Sequence, residues 1–146
     1  MEVSEVIRKY GLSPLEGEGG YFRFVSSFSS LDAGFIYYLI TPESFSSLHR
    51  LSSDELWFFL EGGRAQQIIY DEDRGEKHEL ILSEDCRHSL VRAGLWQATR
   101  LVSGEYALFS TVMCPRFSSS MYFAPHDGLL QAEPSLKEVF PCPQLL

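Results

Sequence analysis

The chain is short of positive charge, cysteine and histidine, and each shortage closes off a class of function. Twelve Lys and Arg stand against 20 Asp and Glu, for a formal net charge of −8. An acidic chain repels a phosphate backbone, and the nearest basic cluster, Arg87, His88 and Arg92, is too short to reverse that. It reads as a solvated strand face, and no nucleic-acid partner is expected. The three cysteines, Cys86, Cys114 and Cys142, are odd in number and lack C-x-x-C spacing, which leaves zinc and redox motifs unsupported. Reduced thiols fit a cytoplasmic protein. The acidic N-terminus has no apolar run of the secretory kind. No stretch approaches the roughly 18 apolar residues of a membrane span, so no membrane partner is expected. A phosphate-cradling glycine loop with its Lys and a G-x-S-x-G nucleophile elbow are missing too.

What the sequence does have is aromatic residues in short, evenly punctuated runs. Its 146 residues include 11 Phe and 7 Tyr, types that suit strands. That length fits one domain, residues 1–146, able to bury about two-thirds of its unfolded surface without a disulfide or metal. Strand-like runs fall at residues 21–26, 35–40, 45–51, 55–61, 66–70, 77–82, 89–92, 96–102 and 106–112, with 117–123 closing the series. Ala33-Gly34, Gly62-Gly63, the run from Asp71 to Gly75, and Ser103-Gly104 supply the turns. Many short strands at even spacing argue an all-β sandwich or barrel, and closure limits exposed edges. Val3, Ile7 and Tyr10 recur at helical spacing before Gly11, so residues 3–10 read as a helix that Ser4 caps. Residues 133–140 read as a last helix before Pro141.

One constellation carries chemistry. Side chains alternate along a strand, so His49 and Leu51 share a face, as do Glu55, Trp57 and Phe59 on the next run. Folding the two runs together across residues 52–54 brings His49 toward Glu55. A histidine and a carboxylate in reach of each other make half a metal site or an acid/base pair.

These residues resemble the first cupin motif, H-x-H-x(3,4)-E-x(6)-G, with His49, Glu55 and Gly62 in place and Leu51 where the second His belongs. The second motif, P-x-G-x-x-H, is similar to the run from Arg92 to Gln97, which keeps Gly94 and ends in Gln97 instead of His. A narrower likeness is to the cupin family carried as DUF985 (cupin_5). Its E-G-G-Y-F is matched by Glu18-Gly19-Gly20-Tyr21-Phe22. Its S-x-x-H-R-x-x-x-D-E-x-W is matched by Ser46, His49, Arg50, Asp54, Glu55 and Trp57. Its G-x-W-Q-A is matched by Gly94, Trp96, Gln97 and Ala98. Three places depart from the family pattern. Glu16 stands for the His of P-H-P, Arg92 for the Pro of V-P-A-G, and Arg116 for the Gly of A-P-G-F.

The resemblance implies a cupin double-stranded β-helix (a jelly-roll barrel) with short terminal helices, pairing as a homodimer and holding a small polar ligand in the barrel. It also implies similarity to the sugar-nucleotide 3,5-epimerases, which remove a proton α to a carbonyl without metal. In that reading His49 is the base, Glu55 or Asp54 orients it, Tyr21 or Tyr37 is the acid, and Arg50 holds a phosphate or carboxylate. Arg50 points away from His49 in a regular strand, and a salt bridge or a dimer contact then suits it. A non-catalytic alternative holds a ligand among Trp57, Phe59, Trp96 and Gln97, with Glu18 at the mouth. A third alternative is a divalent-metal oxygenase or isomerase. For that chemistry His49 and Glu55 remain as ligands, Gln97 is a poor one and Leu51 is none, so no cofactor is expected. Asp54 also suits a turn, and His78, His88 and His126 read as surface residues without partners.

Overall fold

The structure is a computed structural model and describes residues 1–145. Strand alternation sorts the chain into two antiparallel sheets that face each other. The first carries β1 (Ser13–Pro14), β2 (Tyr21–Ser27), β3 (Gly34–Ile40), β10 (Ala107–Met113), β5 (Glu55–Gly62) and β8 (His88–Val91), in that spatial order. The second runs β11 (Tyr122–Phe123), β4 (Ser46–Leu51), β9 (Trp96–Leu101), β6 (Ala65–Asp71) and β7 (Glu76–Leu82). The architecture is the all-β jelly roll expected, with one correction. The sheets share no strand, so the molecule is a two-sheet sandwich rather than a hydrogen-bonded closed barrel. The chain passes between sheets through turns, at residues 52–54 and 63–64 for example, and not along bent continuous strands.

Period-two alternation decides which side chains meet between the sheets. On the first sheet Tyr38, Trp57, Phe59 and Phe109 point inward and pack edge to face. Their neighbours Leu39 and Leu108 point outward, where they are buried under Val6 of α1 (Val3–Tyr10). Gly11 ends that helix in the left-handed conformation, with φ of 66°. Its first turn is closed by Glu5 accepting from the Glu2 backbone N–H at 2.9 Å, and Ser4 does not serve as its cap.

The C-terminal segment departs from the sequence reading. The helix lies earlier, as α2 (Asp127–Ala132), and residues Pro134–Val139 form a tighter 3-10 turn. Pro134 stands at the start of the second segment, where its missing N–H costs nothing, and it breaks the run from the first. Residues 117–123 likewise supply only the two-residue β11. The segment still docks firmly, burying Leu129, Leu136, Val139 and Cys142. His126 has partners, against expectation. Its Nε2 lies 2.9 Å from Glu72 Oε2, and its Nδ1 accepts from the Leu129 N–H at 3.1 Å to cap α2. Among the described residues no helix is long and apolar enough to cross a membrane.

Candidate functional site

The site begins with two glycines. Residues 13–20 turn back across the end of the sandwich, and Gly19 and Gly20 take φ of 103° and 76°, which other residues avoid. A Cβ on Gly19 would overlap the Phe45 carbonyl and the Cys142 sulfur, and one on Gly20 would strike the Tyr38 ring. The close approach lets the Tyr38 hydroxyl donate to the Gly19 carbonyl at 2.6 Å and the Gly20 N–H donate to Ser44 Oγ at 2.8 Å. The Ser47 N–H donates to the Glu18 carbonyl at 3.1 Å. Together these bonds fix the backbone on both sides of Glu18, so its carboxylate is aimed between the sheets.

Strand β4 meets that carboxylate through an irregularity. Ser46 pairs with Thr99 and His49 with Gln97, so three steps on β4 match two on β9. This bulge puts Ser46 and His49 on the same inner face. Ser46 donates to Glu18 Oε2 at 2.9 Å, and His49 Nε2 lies 3.6 Å from Glu18 Oε1. His49 Nδ1 is 2.7 Å from the Ser47 carbonyl, which can only accept, so Nδ1 carries hydrogen and Nε2 is the ring nitrogen that faces Glu18. The imidazole is 1% exposed and lies nearly parallel to the Tyr122 ring, 5.1 Å between centroids.

Glu55 comes from the opposite sheet. Burial, and next the charge of Glu18, push its carboxyl from 4.5 up to about 7, while His49, Thr111 and Gln97 pull the other way. Gln97 is committed twice over. Its Oε1 accepts from Trp57 Nε1 at 3.2 Å, which ties the sheets together and leaves its amide N–H₂ for Glu55. Burial and the charge of Glu18 also raise the phenols of Tyr38 and Tyr122, with Glu55 adding to the rise at Tyr38, so both stay protonated.

These groups form the floor of a cavity of about 490 Å³ that opens at this end of the sandwich. Glu18, Glu55, Tyr38, Thr111 and Tyr122 supply polar atoms there, Glu16, Arg116 and Ser119 supply others at the exposed rim, and Phe22, Ile36, Leu51, Trp57 and Met113 make apolar walls. His49 does not line the cavity but stands behind Glu18 and Tyr122.

Of the residues singled out from sequence, Glu18, His49, Glu55, Trp57 and Gln97 converge. The others lie elsewhere. Tyr37 points outward to Tyr10 and Arg23. Tyr21 faces the α1 side and accepts from Gln144 at 3.2 Å. Arg50 lies on the outer face between Trp96 and Phe123, its guanidinium carbon 5.0 and 4.7 Å from the two rings. Trp96 is buried on that face and donates to Glu72 at 3.0 Å. Asp54 holds a turn, accepting from the Ala93 N–H at 2.7 Å and facing Arg92 at 3.3 Å. Phe59 is core, beneath Arg87 at the far end. Tyr38, Thr111 and Tyr122 were missed. For the first two, inward parity with Glu55 and Trp57 was the available signal.

The residues do not fit a cupin metal. Leu51 supplies no donor, Gln97 is occupied by Trp57, and no three His, Cys, Asp or Glu side chains converge as a metal site among the described residues.

Comparison with known proteins agrees with this architecture. A hypothetical protein from Leishmania major superposes with a TM-score of 0.84 at 23% identity, covering 95% of this chain and 98% of its own. A protein of Shewanella oneidensis gives 0.81 at 23% identity, covering 100% and 97%. An oxalate decarboxylase variant of Bacillus subtilis gives 0.63 at 20% identity, with 90% of this chain aligned to 37% of that longer one. No curated protein matches the sequence. The family described as the cupin superfamily, DUF985, matches residues 4–123, and the chain belongs to it.

Proposed function

We propose that the chain binds a small molecule in the cavity and moves a proton on it without metal, with Glu55 as the group that takes and returns the proton. The observation that carries this reading is the placement of Glu55. Its carboxyl is buried at the floor of an open cavity, beside a second carboxylate and a histidine, within apolar walls. A carboxyl held at about 7 is present in both forms near neutral pH, as a general acid/base must be. His49 acts as a positioning residue in this scheme. Its Nε2 faces Glu18 Oε1 at 3.6 Å rather than the cavity.

Proton exchange α to a carbonyl, through an enol and back on the same face, is the reaction class that suits a single buried acid/base, whereas an epimerase would need a second group on the opposite face. The α-proton goes to the Glu55 carboxylate, and the same carboxyl returns a proton to that carbon. The apolar walls favour a ligand poorer in hydroxyls than a nucleotide sugar, whose buried hydroxyls would each need a partner.

The test is solvent deuterium incorporation at the α-carbon across a panel of small carbonyl compounds. Chelator-treated wild-type protein should catalyse exchange, and Glu55→Gln should lower it by at least about 100-fold. Ligand binding without exchange by any compound would leave a binding module and overturn the catalytic reading.

A further inference from the structure

Arg116 stands at the cavity mouth with no acidic partner. Among the described residues its guanidinium makes no ion pair or side-chain hydrogen bond, and it is the one cationic side chain among the residues that line the cavity. It is nevertheless well placed. Its backbone N–H donates to the Asp32 carbonyl at 2.9 Å, and its guanidinium carbon lies 5.3 Å from the Phe24 ring centre. Stacking on an aromatic face holds the planar group while leaving its N–H edge open to accept a ligand. Arg50, which the sequence reading gave the anion-binding role, is on the outer face and cannot reach the cavity. The buried polar groups that line the cavity, Tyr38, Glu55 and Thr111, are acidic or neutral, while Arg116 is exposed. The cavity thus combines buried acid/base groups, apolar lining from Phe22, Ile36 and Met113, and one cation at its solvent-exposed side.

We infer that Arg116 is the specificity residue of the site and selects ligands that carry a carboxylate at one end and an apolar body. A guanidinium fork matches either carboxylate or phosphate geometry. Charge separates the two. One cation balances a monoanion, and Glu16, which also lines the mouth, would repel a phosphate dianion more strongly. The inference rests on the cavity being a ligand site, but not on Glu55 moving a proton there.

Binding by calorimetry tests it with three probes of one skeleton: 3-phenylpropanoate, its neutral amide, and phenethyl phosphate. Wild-type protein should bind the carboxylate about tenfold or more tighter than the amide and the phosphate. Arg116→Gly should erase that preference while leaving the amide affinity unchanged, and Arg116→Lys should restore part of it. Glu55→Gln should keep the preference whatever it does to proton exchange. The inference is overturned if the carboxylate fails to bind, if the phosphate binds tighter, or if Arg116→Gly retains the wild-type preference. Carboxylate selection with no proton exchange would sink the catalytic proposal alone, and exchange without dependence on Arg116 would sink this inference alone.

Discussion

Ser46 and His49 approach the same carboxylate, 2.9 and 3.6 Å from the two oxygens of Glu18, although three residues apart on one strand. In a regular strand they would face opposite sides. The bulge opposite Thr99 and Gln97 is what aligns them. Their shared partner then adds to burial in raising the proton affinity of Glu55.

That arrangement predicts opposite effects from two neutralising variants. Glu18 raises the Glu55 value and His49 lowers it. Glu18→Gln should therefore move the Glu55 midpoint down from about 7, and His49→Gln should move it up. Carboxyl ¹³C shifts followed through a pH titration give the answer. Two shifts of the same sign would show that charge does not govern Glu55.

Stability should depend on pH through the same group. Glu55 binds its proton more tightly in the folded chain than in the unfolded one, because its value is raised from 4.5 to about 7. Its favourable contribution is complete below the unfolded value and is lost as pH rises through about 7. The displacement corresponds to about 3 kcal/mol. Glu55→Gln cannot ionise, so it should match wild type near about pH 4 and exceed it near about pH 8, by up to about 3 kcal/mol. Urea denaturation at both pH values measures this, and a constant offset would refute it.

Restoring donors should restore metal binding. Leu51 faces the cavity and Gln97 pairs with His49 across β4 and β9, so both sites lie on the correct face. The double variant Leu51→His, Gln97→His should gain on the order of 100-fold in Ni²⁺ or Zn²⁺ affinity over wild type. Calorimetry with chelator-treated protein reads the gain. Equal affinities would mean that the loss of these two donors is not what weakens the site.

Gly19→Ala should be costly out of proportion to one methyl group. The backbone there sits at φ of 103°, and the new carbon would meet the Phe45 carbonyl and the Cys142 sulfur. A loss of about 2 kcal/mol or more is expected, together with weaker ligand binding as Glu18 shifts. A thermal melt within about a degree of wild type would contradict the proposed close approach.

The sequence made the jelly roll legible because alternation and turn spacing are local. It made Glu55, Trp57 and Gln97 legible because parity on regular strands is local too. Parity also separates Tyr37 from Tyr38, yet only the partner strands tell which of two adjacent tyrosines faces inward. Tyr38 shares its strand face with Ile36 and Ile40, and Tyr37 faces α1. Arg50 followed strand parity to the outer face, where Trp96 and Phe123 hold it. The pairing of Ser46 with Glu18 was hidden because a bulge leaves no mark in residue type. The cavity mouth was hidden because Arg116 reaches it from a loop, where no periodicity applies.

The same parity leaves a face of the first sheet uncovered, and this bears on assembly. Phe58, Leu60 and Leu90 point outward on β5 and β8 and are 39%, 40% and 42% exposed, beyond the reach of α1. Strand β8 also ends its sheet, so its outer edge has unpaired backbone groups. Apolar side chains beside an open edge suit a second copy of the same chain, since a two-fold contact covers both patches with one another and lets the two β8 edges meet. Wild-type protein is expected to run as a dimer in size-exclusion chromatography with light scattering, and Phe58→Asp with Leu90→Asp should give a folded monomer. A wild-type species of 16.6 kDa would rule out the pairing. A double variant that stays dimeric would place the interface elsewhere.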